Sequence, residues 1–377
     1  MTDNVPDPVK LTRALVAFDT INPPGNERPC AEYLGSLLEG GGFSTSYYEF
    51  ADTRTSLVAR IGGSSDTKPL CFTGHIDVVP LGAKPWSFDP FAGEIADGKL
   101  YGRGSTDMKS GVAAFVSAAL QLADELIKGP GLVLVITAGE ETGCEGAYHL
   151  AGLDKVLGNA GAIVVAEPTA NQPLIGHKGA LWLKARTTGI TAHGSMPEQG
   201  DNAVYKAARA IGQLEDFDFN IARHKILGKP TLNVGSVHGG LNINSVPDLA
   251  EVGIDIRTVP DQDHATLQSQ LSGYLGEDVE LEPVVDVRCM LTDAADQWVQ
   301  EVNEIMAEIL DARPENRTGS AFTDASVLTP AYGGAPTIIL GPGEPIMAHK
   351  TDEYCFTKKI DEAREAYIQI ARHWNIR

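Results

Sequence analysis

LVLVITAGEE, residues 132–141, is an apolar run that ends in a glycine and two adjacent acids, Glu140 and Glu141. A strand that is apolar along its whole length is typical of the centre of a sheet covered by helices on both faces. Two acids at the end of such a strand are costly to bury without a partner. A bound cation would supply that partner, so this strand end is a candidate metal site.

Similar apolar runs recur along the chain and predict further strands. They lie at Ser56–Ile61, Leu70–Thr73, Ala162–Ala166 and Thr337–Leu340. Helical spacing of apolar residues predicts helices between and around these strands. The helices are Val9–Thr20, Ala31–Glu39, Gly111–Ile127, Ala295–Ile309 and Ile360–Trp374. The alternation predicts an α/β layered domain with a mostly parallel central sheet and helices on both faces.

The pattern changes over residues 177–289. Predicted strands there alternate with two predicted helices, and their ends carry no cluster of candidate ligands. These elements are the strands Leu181–Thr188, Thr231–His238 and Ala250–Thr258, and the helices Asn202–Leu214 and His264–Leu275. We therefore expect a catalytic domain formed by residues 1–176 and 290–377, interrupted at 177–289 by an inserted α+β domain.

Composition narrows the class of protein. A chain of 377 residues with 43% apolar content is long enough for two domains. No apolar stretch approaches the roughly 18 residues that a membrane helix needs, and the acidic stretch Met1–Asp7 has no signal-peptide pattern. A net charge of −20 disfavours nucleic acid and anionic membranes as partners. Five scattered cysteines without a Cys-x-x-Cys pair indicate reduced thiols, so we expect a cytoplasmic protein.

Histidines and acids that could bind a metal ion lie after the predicted strands of the catalytic domain or just before one of its helices. The candidate ligands are His75, Asp107, Glu141, Glu167 and His349. Asp107 lies in the loop before a predicted helix, and the others follow predicted strands. Ligands of α/β sheets bind beyond the carboxyl ends of the strands, so we expect these residues to converge. Two histidines and three carboxylates exceed the three protein ligands of a catalytic zinc. They suit two metals about 3.5–4 Å apart that share a bridging carboxylate.

Two more acids complete the predicted site. Glu140 is the candidate general base, since one of two neighbouring carboxylates can bind metal while the other takes the proton of the attacking water. Asp77 alternates with His75 and is placed to accept the second imidazole N–H. Taken singly, each of these residues is more often structural, and Asp107 has the position of a helix-capping residue. Their occurrence together at successive strand ends favours a hydrolase with a paired-metal centre.

Other classes of function are disfavoured. The loop Gly102–Asp107 lacks the third glycine of a dinucleotide motif, and the sequence has no Gly-Lys-Ser/Thr phosphate loop. A one-metal lyase or isomerase that uses the acids for proton transfer would leave ligands unused. A non-catalytic binding protein on the same scaffold would be expected to lose ligands or the base, and every such position is filled.

Six motifs, met in order along nearly the whole chain, carry a family resemblance. They are Gly74–Pro80, Trp86–Phe91, Asp97–Lys109, Gly139–Glu141, Glu167–Thr169 and Ala348–Lys350. The chain resembles the two-zinc amidohydrolase and metallopeptidase family that includes acetylornithine deacetylase, succinyl-diaminopimelate desuccinylase and the glutamate-releasing carboxypeptidases. The resemblance implies that His75 and Glu167 hold one zinc ion, that Glu141 and His349 hold the other, and that Asp107 bridges them. It implies two Zn²⁺ per chain, with Co²⁺ able to substitute.

The same resemblance implies roles for the remaining site residues. Glu140 is then the general base, and Asp77 supports His75. The inserted domain is then a ferredoxin-like dimerisation and lid domain, and His193 reaches the site of the partner subunit to stabilise the oxyanion. Residues implied in substrate binding are Lys178, Asn244, Arg257, Gly319 and Asp324. Surface or hairpin roles stay open for His193, Asn244 and Arg257.

The resemblance implies hydrolysis of the amide bond of a small N-acyl amino acid by a homodimer. His177-Lys178-Gly179 and Gly341-Pro342-Gly343 resemble the acetylornithine deacetylase branch. Desuccinylases commonly carry an arginine two residues after the pocket aspartate, where this chain has Ser326. A second substrate carboxylate would need a forked cation, although Arg257 or Lys178 could serve instead. A desuccinylase or a dipeptide-type carboxypeptidase therefore stays as the alternative to the deacetylase.

Overall fold

The computed structural model describes residues 5–63 and 66–377, so residues 1–4 of the acidic N-terminal stretch lie outside the described residues. The chain divides into two compact units. The first runs to Gly176 and continues in Leu291–Arg317 and Thr323–Arg377. The second comprises His177–Met290 and Thr318–Phe322. The short segment at 318–322 thus belongs with the second unit, although it is distant in sequence from the rest of that unit.

The secondary structure alternates between strands and helices. The strands are β1 (Ser44–Ala51), β2 (Arg54–Ile61), β3 (Leu70–His75), β4 (Ile95–Ala96), β5 (Lys99–Tyr101), β6 (Leu132–Thr137), β7 (Ala162–Val165), β8 (Leu174–His177), β9 (Gly179–Thr188), β10 (Thr231–Gly239), β11 (Leu249–Thr258), β12 (Glu280–Val287), β13 (Met290–Leu291), β14 (Arg317–Gly319), β15 (Thr337–Ile339) and β16 (Tyr354–Phe356). The helices are α1 (Pro8–Val16), α2 (Arg28–Gly40), α3 (Lys109–Leu126), α4 (Glu145–Gly152), α5 (Ala203–Glu215), α6 (His264–Leu275), α7 (Gln297–Leu310), α8 (Ala325–Ala331) and α9 (Thr357–Asn375).

The first unit is built on a mixed sheet whose centre is parallel. Its strand order is β1-β2-β6-β3-β7-β15-β8-β13. Strand β3 pairs in parallel with β6 and β7, and β15 pairs in parallel with β7. The outer pairs β1–β2, β2–β6 and β15–β8 are antiparallel. Strands β3, β6 and β7 are buried along their whole length, as the unbroken apolar sequences predict for strands covered on both faces.

Helices flank this sheet and close the main hydrophobic core. Helix α3 packs against α1 and α9, and α7 also packs against α9. Phe72 of β3, Phe115 of α3 and Tyr367 of α9 meet in the core, with Phe72 and Tyr367 ring centroids 5.3 Å apart. Asp7 caps α1 by accepting the backbone N–H of Lys10 at 2.9 Å, which satisfies a free donor at the helix start.

The second unit is a four-stranded antiparallel sheet with two helices. Its elements follow the order β9-α5-β10-β11-α6-β12, and its strand order is β10-β11-β9-β12. That arrangement is the ferredoxin-like fold. Alternate residues of β9 and β11, such as Leu181, Leu183, Ile254 and Ile256, are buried in a core that also contains Leu271 of α6. Burial of every second residue is expected when helices cover one face of a sheet.

The predicted fold class is confirmed. The predicted strand Leu132–Thr137 and helix His264–Leu275 have the observed bounds, and other predicted elements differ by a few residues at their ends. Helix α1 is shorter than predicted, because it ends at Val16 and not at Thr20. Among the described residues, no helix is both long and apolar enough to cross a membrane.

Candidate active site

The parallel centre of the sheet gathers the candidate ligands at one edge. His75 is the last residue of β3, and Glu140 and Glu141 follow the end of β6 by three and four residues. Glu167 comes two residues after β7, and His349 follows β15. Because parallel strands end on the same side, side chains far apart in sequence meet beyond their carboxyl ends.

Asp107 lies between the two imidazoles. Its Oδ1 is 3.2 Å from His75 Nε2, and its Oδ2 is 3.5 Å from His349 Nε2. Glu141 Oε2 is 3.0 Å from the same His349 Nε2. Each oxygen of one carboxylate therefore faces a different imidazole, which is the arrangement that a carboxylate bridging two cations requires.

Glu140 and Glu167 lie on the His75 side of the site. Glu167 Oε1 is 3.6 Å and Glu140 Oε2 is 3.9 Å from His75 Nε2. Potential ligand atoms within 4.8 Å of one another form two groups, one of His75, Asp107 and Glu141 and one of His75, Glu140 and Glu167. His75 belongs to both groups, so the two sets of donors adjoin.

Asp77 connects the ends of β3 and β6. It is fully buried, and its Oδ1 is 3.5 Å from His75 Nδ1. The backbone carbonyl of Asp77 lies closer to that nitrogen, at 3.0 Å. Asp77 Oδ1 and Oδ2 accept the backbone N–H groups of Glu140 and Glu141 at 3.1 and 3.2 Å. The carboxylate thus orients the backbone of both acids, while the hydrogen-bond partner of His75 Nδ1 is the Asp77 carbonyl and its predicted pairing with the carboxylate stays a prediction.

Burial and crowding of like charges shape the ionisation of the site. Burial and the neighbouring Glu167 raise the pKa of Glu140 well above its usual value. Burial raises the pKa of Glu167 to about 8, although His75 opposes the shift. Hydrogen bonds to Asp107 and Glu141 raise the pKa of His349 to about 10. Burial opposes ionisation of Asp107, but its hydrogen bonds to His349 and His75 lower its pKa.

The residues present fit divalent cations. Four carboxylates and two imidazoles are the oxygen and nitrogen donors that zinc accepts. Glu141 Oε1 is buried without a hydrogen-bond partner, and an unpaired buried carboxylate oxygen is costly. A cation at this position would satisfy that oxygen and reverse the repulsion that raises the pKa of the acids.

Three of the residues predicted to bind substrate lie together in the second unit. The backbone N–H of Lys178 donates to the carbonyl of Gly319 at 3.3 Å. Arg257 Nη1 donates to the carbonyl of Ser320 at 3.4 Å, and its Nε is 2.9 Å from Asp255 Oδ1. Burial and the nearby Arg223 and Arg257 lower the pKa of Lys178. The segment Thr318–Phe322 therefore borders a cationic cluster that could take a carboxylate.

The remaining predicted residues lie in two other places. His193 is exposed, and its Nδ1 lies 2.7 Å from Ser195 Oγ. It is next to Asn244 in space, since Gly194 N donates to the Asn244 carbonyl at 2.7 Å. Asp324, in the first unit, is 1% exposed and accepts a hydrogen bond from Thr137 Oγ1 at the end of β6. A substrate contact for Asp324 stays a prediction.

Two residues at the site were not identified from the sequence. Asn22 Nδ2 donates to Asp77 Oδ2 at 2.9 Å and to Thr142 Oγ1 at 3.0 Å. Glu353 accepts the backbone N–H of Asp107 at 3.0 Å. The signals available were weak: Asn22 precedes two prolines in a loop, and Glu353 is an acid just before a short strand.

Sequence comparisons show which known proteins this chain is similar to. Residues 71–373 match the model of peptidase family M20/M25/M40. The chain is 33% identical over 388 residues to the acetylornithine deacetylase of Myxococcus xanthus, which covers 99% of both chains. It is 28% identical over 398 residues to the "Probable succinyl-diaminopimelate desuccinylase" of Staphylococcus aureus, with 96% of this chain and 98% of that protein covered.

A solved structure shows the same fold. An M20 family metallo-carboxypeptidase of Sulfolobus solfataricus superposes with a TM-score of 0.84 at 18% identity, and the match covers 99% of this chain and 100% of the other. At that identity the likeness concerns the fold alone. The family match and the Myxococcus relative together span the donors described above, so this chain belongs to peptidase family M20/M25/M40 and is a metal-dependent amidohydrolase.

Proposed function

We propose that this enzyme removes an acyl group, most simply acetyl, from the α-amine of a small amino acid such as ornithine. The observation that carries the proposal is the position of Asp107, with one oxygen 3.2 Å from His75 and the other 3.5 Å from His349. A one-metal lyase or isomerase is disfavoured, because it would leave several of these ligands unused. The 33% identity to an acetylornithine deacetylase supports the choice of substrate.

The residues proposed to hold the cations fall into two sets that share Asp107. His75 and Glu167 form one set, and Glu141 and His349 form the other. We propose Zn²⁺ as the ion, with Co²⁺ as a functional substitute, because mixed imidazole and carboxylate donors suit zinc. When bound, two such ions polarise an amide carbonyl and lower the pKa of the attacking water.

Glu140 is proposed to move the proton. Its Oε2 lies 3.9 Å from His75 Nε2, farther away than Asp107 Oδ1 at 3.2 Å, so Glu140 lies beside the proposed ligands. A carboxylate beside the proposed metal ligands can take a proton from water and release it again. Glu140 accepts the proton of water as the C–O bond forms. It then donates that proton to the amine nitrogen as the C–N bond breaks.

Groups of the second unit are proposed to bind the substrate. Lys178 and Arg257 supply positive charge for the α-carboxylate, and Gly319 borders them. His193 is proposed to stabilise the oxyanion in the partner subunit, with Asn244 beside it. Asp324 is proposed to help line the pocket.

The alternative substrate is succinyl-diaminopimelate. The staphylococcal relative supports it, and the cationic pair Lys178 and Arg257 could take a second carboxylate. Ser326, in the position of an expected arginine, speaks against it. A dipeptide or an acyl-glutamate is the next candidate substrate for an enzyme with this fold.

The substrate proposal is tested by hydrolysis rates with metal-loaded enzyme. We expect kcat/KM for acetylornithine to exceed that for succinyl-diaminopimelate, for an acyl-glutamate and for a dipeptide. A higher value for succinyl-diaminopimelate would replace the deacetylase with the desuccinylase. No turnover of any of these amides would overturn both.

The role of Glu140 is tested by Glu140→Gln, which keeps size but cannot accept the proton. We expect kcat to fall by about 10²–10⁴-fold, while the metal content by elemental analysis stays near two ions per chain. Glu198→Gln is the control, because Glu198 is an exposed residue of the second unit. Turnover of Glu140→Gln at the wild-type rate would exclude Glu140 as the base.

We also propose that the protein is a cytoplasmic homodimer joined through the second unit. Strand β10 lies at the end of its sheet and carries the exposed Val237. The loop that follows exposes Leu241 and Ile243 completely, and Tyr205 of the adjacent α5 is 67% exposed. An edge strand with apolar side chains is a common surface for pairing with another copy. The cytoplasmic location rests on the scattered, free cysteines.

A further inference from the structure

Glu353 is a buried acid that lies four residues after His349. It is 0% exposed, and its two oxygens accept four N–H groups from one loop. Oε2 accepts Arg103 Nη1 at 2.6 Å and the backbone N–H of Gly104 at 3.1 Å. Oε1 accepts the backbone N–H groups of Thr106 at 2.8 Å and Asp107 at 3.0 Å. The carboxylate thus holds the loop that presents Asp107.

The counterion of Glu353 is itself held in place. Arg103 is 1% exposed, its Nη2 donates to the Pro80 carbonyl at 3.0 Å, and its guanidinium lies 5.2 Å from the centre of the Trp86 ring. A buried carboxylate is stable only when it is paired and hydrogen-bonded. Glu353 meets both conditions, so it has no need of a cation and is not itself a candidate ligand.

Thr106 ties the same loop to both sides of His349. Its Oγ1 donates to the Tyr354 carbonyl at 2.6 Å and accepts the backbone N–H of Glu344 at 3.2 Å. In addition, Gly102 N donates to the Glu353 carbonyl at 2.9 Å. The segment that carries His349 is therefore fastened before and after the histidine to the loop that carries Asp107.

We infer that Glu353 is a positioning residue for the paired-metal centre, an inference that rests on the proposed function. Its carboxylate sets the backbone of Asp107 relative to His349, so that the two Asp107 oxygens face different imidazoles. A neutral side chain cannot do this, because a carboxylate accepts at both oxygens while an amide presents N–H groups at one end. Partners of metal ligands commonly affect metal affinity in this way.

The inference is tested with Glu353→Gln, which keeps shape and removes the charge. We expect the apparent dissociation constant of the more weakly bound Zn²⁺, measured by competition with a chromophoric chelator, to rise by about 10–100-fold. Glu344→Gln is the matched control, since Glu344 is on the same segment but its carboxylate pairs with Lys359. We expect Glu344→Gln to bind Zn²⁺ as the wild type does.

A purely structural role predicts a different result. It would lower the unfolding temperature of metal-free Glu353→Gln and leave the Zn²⁺ affinity of the folded protein unchanged, and that outcome would overturn the inference. Thr106→Val, which removes only the hydroxyl between the two segments, is the second variant, and we expect it to weaken Zn²⁺ binding in the same direction. Failure of both variants to fold would also overturn the inference in favour of a role in folding alone.

The wild type separates this inference from the proposed function. Wild-type protein that binds fewer than two Zn²⁺ per chain would contradict the paired-metal centre, and the inference would fall with it. Wild-type protein that binds two, together with Glu353→Gln that binds two equally tightly, would contradict the inference alone.

Discussion

At the residue scale, the site gathers more negative charge than a protein interior tolerates unaided. Asp107, Glu140, Glu141 and Glu167 are all buried or nearly so, and His75 and His349 are the basic side chains that pair with them. The raised pKa of both histidines and of Glu167 shows that protons stabilise this cluster when no cation does. Cations and protons therefore compete for the same donors.

A second buried histidine, His177, gives the stability of the protein a pH dependence. It is fully buried, its Nδ1 lies 2.8 Å from the Lys178 carbonyl, and burial lowers its pKa from 6.5 to about 4. The unfolded chain thus binds this proton before the folded chain does. Stability is fully present above pH 6.5 and falls as the pH is lowered toward 4.

From that shift we expect the free energy of unfolding to fall by about 2 kcal/mol, through His177 alone, when the pH is lowered from 7 to 5. The measurement is urea unfolding of wild type and His177→Asn at several pH values, because other groups titrate equally in both proteins. The difference between the two curves should change by that amount as the pH falls. Curves that stay parallel would show that His177 does not titrate in this window.

At the scale of elements, one glycine sets how closely α3 approaches the end of β7. A Cβ on Gly111 would lie 2.1 Å from the carbonyl oxygen of Ala166, the residue before Glu167. The helix therefore packs directly against the backbone that presents a proposed ligand. Larger residues at such a contact force the backbone apart.

We expect Gly111→Ala to destabilise the protein by about 1–3 kcal/mol and to reduce turnover by displacing Glu167. Gly273→Ala is the control, since Gly273 is within α6 and an added Cβ would meet no neighbouring atom within 4 Å. This variant should be neutral or stabilise the protein by about 0.5–1 kcal/mol. The prediction is checked by measuring thermal unfolding and kcat for both variants. Wild-type stability in Gly111→Ala would mean that the helix can shift at no cost.

The sequence predicted the elements in which apolar residues follow one clear pattern. Continuous apolar runs gave β3, β6 and β7, and helical spacing gave α3, α6 and α9. Strand β1, at Ser44–Ala51, was not predicted, because it is an edge strand whose partly exposed sequence mixes polar and aromatic residues. Helix α4 was also missed, since Glu145–Gly152 is too short for a clear helical pattern.

At the scale of the whole molecule, the proposed dimer depends on which edge of the second sheet is used. Strands β10 and β12 are the two ends of that sheet and carry the exposed Val237 and Val284. The two valines are 55% and 58% exposed. The same substitution at the two valines therefore compares the two edges of the sheet.

We expect wild-type protein to have about twice the chain mass of 40.1 kDa by light scattering after size exclusion. Val237→Lys should produce a monomer, because a charge on an edge strand opposes pairing. Val284→Lys should stay dimeric. A monomeric wild type would contradict the proposed dimer, and dissociation by Val284→Lys alone would move the interface to β12.

The fold class, the inserted α+β domain and the candidate ligands could be predicted from the sequence, because periodicity and the residue types at strand ends are local features. The fourth strand of the insertion, β12, was not predicted, so the ferredoxin-like topology did not follow from periodicity. The distances of 3.2 and 3.5 Å from Asp107 to His75 and His349, and the place of Thr318–Phe322 in the second unit, came only from the packing of distant segments. That packing also decided that Glu353 holds the loop of Asp107, a contact between residues 246 positions apart. Such contacts depend on how distant segments pack, and no local pattern records that packing.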